Sequence, residues 1–377
     1  LGDFFFFFLR TTEHIGMEIG IVGLPHSGKR TLFSTLLVHK SADNAFKPKR
    51  EMDRGVIRVL DTRLDKLTNI FHPKKQVNAT IEYLLVPGLE TEKKKQTGLP
   101  AQFLANLRNV DAILLMARAF ENENYPHPLG CVDTKKDIAF ANSEFMFSDL
   151  YIAESRIERL EKQLKRSPND DDRKELSALL RCKHWLEQEN PLRGMEKTED
   201  EKKRLRGFQF LSDKPILTVV NIEEKDLPRT QDILAGFQDL CSPTSQVTAL
   251  CAVIEKEISE LDPKDQQEFL EDLGIAEPAL PLLIRKCYEL LGLISFFTVG
   301  EDECRAWTLR KGSSAQTAAG VIHTDLEHGF IRAAVVSFDE LVEQGSLAQC
   351  KTKGILRLEG KDYLVKDGDV IEIRAGA

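Results

Sequence analysis

Gly23-Leu24-Pro25-His26-Ser27-Gly28-Lys29 holds two glycines and a lysine at the spacing of the G-x4-G-K-[ST] pattern. Residues of these types at this spacing bind phosphate. The glycines permit a tight turn, and the backbone N–H groups of that turn face an anion together with the N-terminus of the following helix. Lys29 supplies a point charge near the β and γ phosphates. The eighth position should be Ser or Thr, whose hydroxyl coordinates the magnesium that bridges the phosphates. Here it is Arg30, with Thr31 one place late. Successive helical side chains point about 100° apart, so Thr31 does not replace the missing hydroxyl without a shift of register. The expected nucleotide contacts at this end are therefore Gly23 through Thr31, with metal binding in doubt. His26 occupies a variable position of the pattern and is expected to neighbour the ligand. No catalytic residue is assigned.

Such a loop needs a buried strand before it and a helix after it. The run MEIGIVGLPHSGKRTLFSTLL from Met17 supplies both, with Leu32, Phe33, Leu36 and Leu37 on one side of the helix. Further β-branched and aliphatic runs at residues 79–86, 111–117, 215–221 and 247–251 alternate with helical stretches. That pattern predicts a parallel sheet covered on both faces, an α/β nucleotide domain over residues 17–292. Between residues 137 and 211 the composition shifts to Glu, Lys, Arg and Leu. Ile157, Leu160 and Leu164 form one seam, and Leu176, Leu179, Leu180 and Leu186 lie on a second arm beyond the turn Ser167-Pro168-Asn169-Asp170. This predicts an inserted helical hairpin, a solvated stalk or a partner-binding arm. From residue 293 to 377, short alternating segments with frequent Gly and Asp predict a small separate β-rich domain.

The whole chain of 377 residues has 60 acidic and 52 basic side chains, a net charge of -8. It is not built to grip nucleic acid electrostatically along its length, so any RNA contact must come from a local patch. No apolar run approaches the ~20 residues of a membrane helix, so no membrane partner is expected. Seven scattered cysteines without a CxxC pair argue against a disulfide framework and against a zinc site, and favour a reducing cytoplasm. Residues 1–16, with the run Phe4 to Phe8, lack the basic start and cleavage site of a signal peptide and are expected to be an N-terminal extension.

The segment GIVGLPHSGKRTLF resembles the phosphate loop of the YchF family of Obg-like ATPases. The likeness continues through LDTRLDKL, QFLANLRNVDAIL, VDTKKDI and FLEDLGI. It is densest in LISFFTVGEDECRAWTLRKGSSAQTAAGVIHTDLEHGFIRA and RLEGKDYLVKDGDV. The resemblance implies a Ras-like P-loop domain, a coiled-coil hairpin inserted in it, and a C-terminal TGS domain of β-grasp form. It also implies ATP binding and hydrolysis, and association with ribosomes through the hairpin and the TGS domain.

The chain departs from that family where the metal is held. Aligned through Arg63-Leu64-Asp65, the family's switch threonine falls at Lys49, and the carboxylate of its D-x-x-G falls at Leu85, in Leu85-Val86-Pro87-Gly88. With Arg30, three metal-linked positions are replaced, so hydrolysis is expected to be very slow or absent. Arg30 and Lys49 could instead bring part of the positive charge that magnesium normally supplies. The glycine-rich stretch after Gly88 is reduced to Gly98, and Leu89 offers no base.

Asn221-Ile222-Glu223-Glu224 stands after a strand where guanine-specific proteins carry N-K-x-D. Glu for Asp and Ile for Lys weaken the guanine case, and N-x-x-E is similar to the family's adenine-selecting form. Asn221, Ile222 and Glu224 on one side, with Cys251, Ala252 and Val253 on the other, are the expected base contacts, for ATP or ADP. The alternatives are an active YchF-type ATPase with a rearranged metal site, a GTP-binding protein, and a nucleotide-free scaffold. In the tail, His323, Asp325 and His328 are expected to be structural. Arg305, Trp307, Arg310, Lys311 and Arg332 could form a basic, aromatic face for RNA.

Overall fold

The computed structural model describes residues 17–38, 53–86 and 101–376. The N-terminal extension, Lys49, and Gly88 through Gly98 lie outside the described residues.

The elements of the first half are β1 (Glu18–Val22), α1 (Lys29–Val38), β2 (Asp53–Val59), α2 (Thr62–Phe71), β3 (Lys75–Val77), β4 (Ala79–Leu85), α3 (Ala101–Arg108) and β5 (Ala112–Arg118). There follow α4 (Thr134–Arg166), α5 (Asp170–Glu187), α6 (Glu199–Leu205), β6 (Ile216–Asn221), α7 (Thr230–Ala235), β7 (Ser245–Leu250), α8 (Ala252–Glu260), α9 (Pro263–Asp272) and α10 (Ala279–Leu290). β5 and β6 are buried at every residue, as strands covered on both faces must be. They lie in a sheet of order β2-β4-β1-β5-β6-β7. From β4 to β7 the pairing is parallel, as expected. β2 is an antiparallel edge strand on β4, which the apolar runs did not reveal because its burial alternates.

α4 and α5 form the hairpin. Asp133 caps α4 by accepting from the Lys136 amide, and Asn169 caps α5 by accepting from the Asp171 amide. Ile157, Leu160, Leu179 and Leu186 are buried in its seam, but Leu180 is 45% exposed. Cys182, three residues after Leu179, fills the seam instead, and Leu180 falls about 100° away from Leu179 on the helix. The hairpin's base is fastened by buried Asp149, which accepts from the amides of Leu211 (2.9 Å) and Ser212 (2.7 Å).

The last elements are β8 (Leu293–Thr298), β9 (Glu303–Arg310), β10 (Phe330–Ser337), β11 (Arg357–Glu359) and β12 (Asp369–Ala375), with short helices between them. They form a second sheet of order β11-β10-β12-β8-β9-β3. The C-terminal elements have a sheet and a hydrophobic cluster of their own, around Phe296, Leu309 and Val335, and they also pack against the first part of the chain. β3 belongs to the first half by sequence, yet pairs in parallel with β9. One hydrophobic cluster runs from Ile21 and Leu85 through Leu283 and Cys287 of α10 to Phe297, Val336 and Val370. At this seam Arg63 on α2 bonds Asp61 (2.8 Å) and Asp367 (2.7 Å), with its guanidinium 5.3 Å from the centre of the Phe297 ring.

Candidate nucleotide-binding site

β1 delivers the chain into a tight loop at its carboxyl end. Gly23 has φ +153° and Gly28 has φ +96°, and both are pressed against neighbours. A Cβ on Gly23 would lie 2.3 Å from the Met116 carbonyl oxygen, and one on Gly28 would lie 2.3 Å from Asn221 Nδ2. Only glycine fits either place. α1 then starts at Lys29, so its free N–H groups open onto the loop.

Lys29 is 8% exposed and its Nζ donates to the carbonyls of Gly23 (2.7 Å) and Leu24 (2.6 Å). Burial, helped by the neighbouring charge of Arg30, pulls its ammonium down to about 8. Ser27 is 1% exposed, and its Oγ has no hydrogen-bond partner among the described residues. A buried hydroxyl without a partner is a group held in reserve for a ligand or water. Helix N-terminus, buried cation and unpartnered hydroxyl thus belong to one loop of seven residues. Arg30 is exposed, Thr31 is half-buried, and His26, at φ +61°, packs against Tyr125 with ring centres 5.1 Å apart.

Asn221 ends β6 and ties this loop to the next. Its Nδ2 donates to the Ser27 carbonyl (3.0 Å), and its Oδ1 accepts from the Ala252 amide (3.0 Å). The geometry therefore gives Asn221 a positioning role: both ends of its amide already have protein partners. The Ile222 amide donates to the Leu250 carbonyl (3.0 Å), and its side chain is buried. Glu224 is exposed just beyond, while Val253, 58% exposed, flanks the opposite side at the start of α8. Cys251 is buried, which raises its thiol pKa. The expected base residues thus lie on two adjacent loops bracketing the Asn221 link.

A second support escaped the sequence reading. Buried Arg118 at the end of β5 donates to the carbonyls of Phe120 (2.7 Å) and Tyr125 (2.8 Å), and so pins the loop that follows at those two points. Within that segment the Leu129 amide donates to His127 Nδ1 (3.3 Å), which leaves His127 Nε2 to donate to Asp137 (2.9 Å). Burial raises the Asp137 carboxyl above its ordinary value. Together these bonds hold Tyr125 against His26. No linear motif marks them; a buried arginine after an apolar strand was the available signal.

Residues 293–376 match a family model named YchF-GTPase_C, described as a protein of unknown function (DUF933). The ribosome-binding ATPase YchF of Bacillus subtilis is 40% identical over 96% of this chain and 99% of its own length. That of Escherichia coli O157:H7 is 38% identical over 95% and 98%. The chain belongs to the YchF family. The solved YchF GTPase of Schizosaccharomyces pombe superposes with a TM-score of 0.85 at 28% identity, covering 97% of this chain and 99% of that one. The fold expected of a YchF protein, a P-loop sheet with a helical insertion and a C-terminal domain, is the fold found.

YchF resemblance implies magnesium beside the phosphates, but the side chains at its described positions do not fit a cation. Arg30 offers only donors. Leu85, 7% exposed, pairs with Ile21 across the sheet and packs into the hydrophobic cluster. Lys49 is outside the described residues.

Other expectations change. Trp307 is 9% exposed and donates its indole N–H to Thr298, and Arg305 lies over its ring (4.7 Å) while paired with Glu303. Arg310 reaches Asp111 (3.4 Å). The five residues therefore do not make one free RNA face; Lys311 and Arg332 remain exposed. His323 caps a short helix by accepting from the Asp325 amide (3.2 Å). Among the described residues no helix is long and apolar enough to cross a membrane.

Proposed function

We propose that this chain binds ATP or ADP between the phosphate loop and the Asn221 and Cys251 loops, and hydrolyses ATP very slowly or not at all. The observation that carries the reading is Leu85, a core leucine where the family's metal-linked carboxylate aligns. Arg30 at the metal-binding hydroxyl position supports it. Phosphoryl transfer draws most of its acceleration from metal and positioned charge, so losing the ion removes several kcal/mol, each ~1.4 kcal/mol being tenfold in rate. The bacterial relatives are named ribosome-binding ATPases, which supports ribosome association in the cytoplasm, with nucleotide occupancy positioning the hairpin at about 137–211 and a TGS domain at 293–377.

The test is phosphate release by purified protein with magnesium and ATP, alongside competition between ATP and GTP for the site. Turnover at least ~100-fold below that of the Bacillus subtilis relative, with ATP preferred, is expected. Comparable turnover favours a second reading, an active ATPase that recruits Thr31; the relatives' names keep that reading in view. Preference for GTP would instead side with the name of the fission-yeast protein.

A further inference from the structure

We propose that Arg30 stands in for the divalent cation, so that this chain grips its nucleotide's phosphates without magnesium. The inference rests on the nucleotide reading above and adds the means by which the phosphate charge is met.

Two replacements balance each other. In a metal-dependent loop the doubly charged ion is held beside a hydroxyl and a carboxylate, which together leave one net positive charge next to the phosphates. At the two described positions, exchanging the hydroxyl for Arg30 and the carboxylate for Leu85 also leaves one net positive charge, with no ion. Either exchange alone would upset the balance. An arginine beside a retained carboxylate would form an ion pair, and a lost carboxylate beside a retained hydroxyl would leave the ion short of ligands. Found together, they form a consistent set.

The side chain is free for this work. Arg30 is exposed in the first turn of α1 and has no hydrogen-bond or ion-pair partner among the described residues. It follows Lys29 directly and lies close enough for its charge to weaken proton binding there. In the same loop, three residues before Arg30, the buried Ser27 hydroxyl is without a partner among the described residues, an independent mark of room for a ligand group. A guanidinium suits phosphate because its planar fork donates two parallel hydrogen bonds and keeps its charge at any working pH.

The test is calorimetric titration with ATP in excess magnesium and again in excess EDTA. It is run on the full chain, on Arg30→Ser, and on the double variant Arg30→Ser/Leu85→Asp. Wild type should bind equally, within about twofold, in both buffers, and Arg30→Ser should bind roughly 10- to 100-fold more weakly in EDTA. The double variant, its folding checked by thermal melting because Leu85 is buried, should bind only with magnesium. Arg30 is exposed, so the single variant stays informative even if the double one misfolds. Wild-type binding that requires magnesium overturns the proposal, as does magnesium-free binding that ignores Arg30→Ser. Absence of binding in both buffers removes the nucleotide reading itself.

Discussion

At the end of β1, Ser27 and Arg30 wait for partners; at the seam between the two sheets, Arg63, Asp61 and Asp367 have them. Ser27 Oγ has no bond among the described residues, Arg30 has no partner there, and Lys29 rests on carbonyls of its own loop. At the seam, Arg63 is shared by Asp61 and Asp367, and Asp367 also accepts from the Ser295 amide (2.8 Å). Both regions are rich in charge, so charge alone does not mark a site. What separates these two clusters is satisfaction: the charges around Arg63 are already bonded to one another, whereas Ser27 and Arg30 keep hydrogen-bonding capacity at a helix N-terminus.

The sharpest challenge to that contrast is Gly28→Ala. Its Cβ would collide with Asn221, whose amide is bonded at both ends, and Gly28 sits at φ +96°. We expect a loss of about 3 kcal/mol in nucleotide affinity, near 100-fold, by calorimetry. Unchanged affinity would mean that this loop is not the ligand's seat.

A smaller effect comes with pH. Lys29 titrates near 8 without ligand, and phosphate favours its charged form. Below that value the ammonium is present before and after binding. Above it, binding must take up a proton, so affinity falls as pH rises, by about tenfold between pH 7 and pH 9. The stability change has the opposite sign. The folded pKa lies below the unfolded one, so the penalty for burying the ammonium is full below about 8 and is relieved as pH rises from there toward the unfolded value. Affinity that is flat from pH 7 to 9 would remove Lys29 from the phosphate contacts.

The smallest effect should come from Arg63→Ala. Arg63 is partly exposed and Asp367 about half exposed, so solvent screening leaves about 1 kcal/mol of stability to lose, read as a lower melting temperature with nucleotide affinity unchanged. If affinity fell as far as in Gly28→Ala, seam and site would be one unit and the contrast would break.

The phosphate loop was legible in the sequence because its chemistry is local: two glycines and a lysine in seven residues dictate turn, helix start and charge. The hairpin was legible through its repeat of apolar residues, though Leu180 shows that leucine alone does not reveal which side of a helix faces the seam. The positioning role of Asn221 was not legible, since its partners Ser27 and Ala252 are distant in sequence. The Arg118 and His127 supports were hidden for a related reason: they act through carbonyls and a single amide that no residue pattern encodes. The pairing of β3 with β9 escaped because β3 has three residues, too few to show a period.

That short strand makes the C-terminal segment a borrower. Residues 293–376 are continuous in the chain, yet their sheet is completed at one border by Lys75–Val77. Cut free, they would present the outer backbone of β9 to any extended peptide, an invitation to stick to other copies. A gene rearrangement that moved this segment to a new host protein would have to bring a substitute strand with it to keep that border covered.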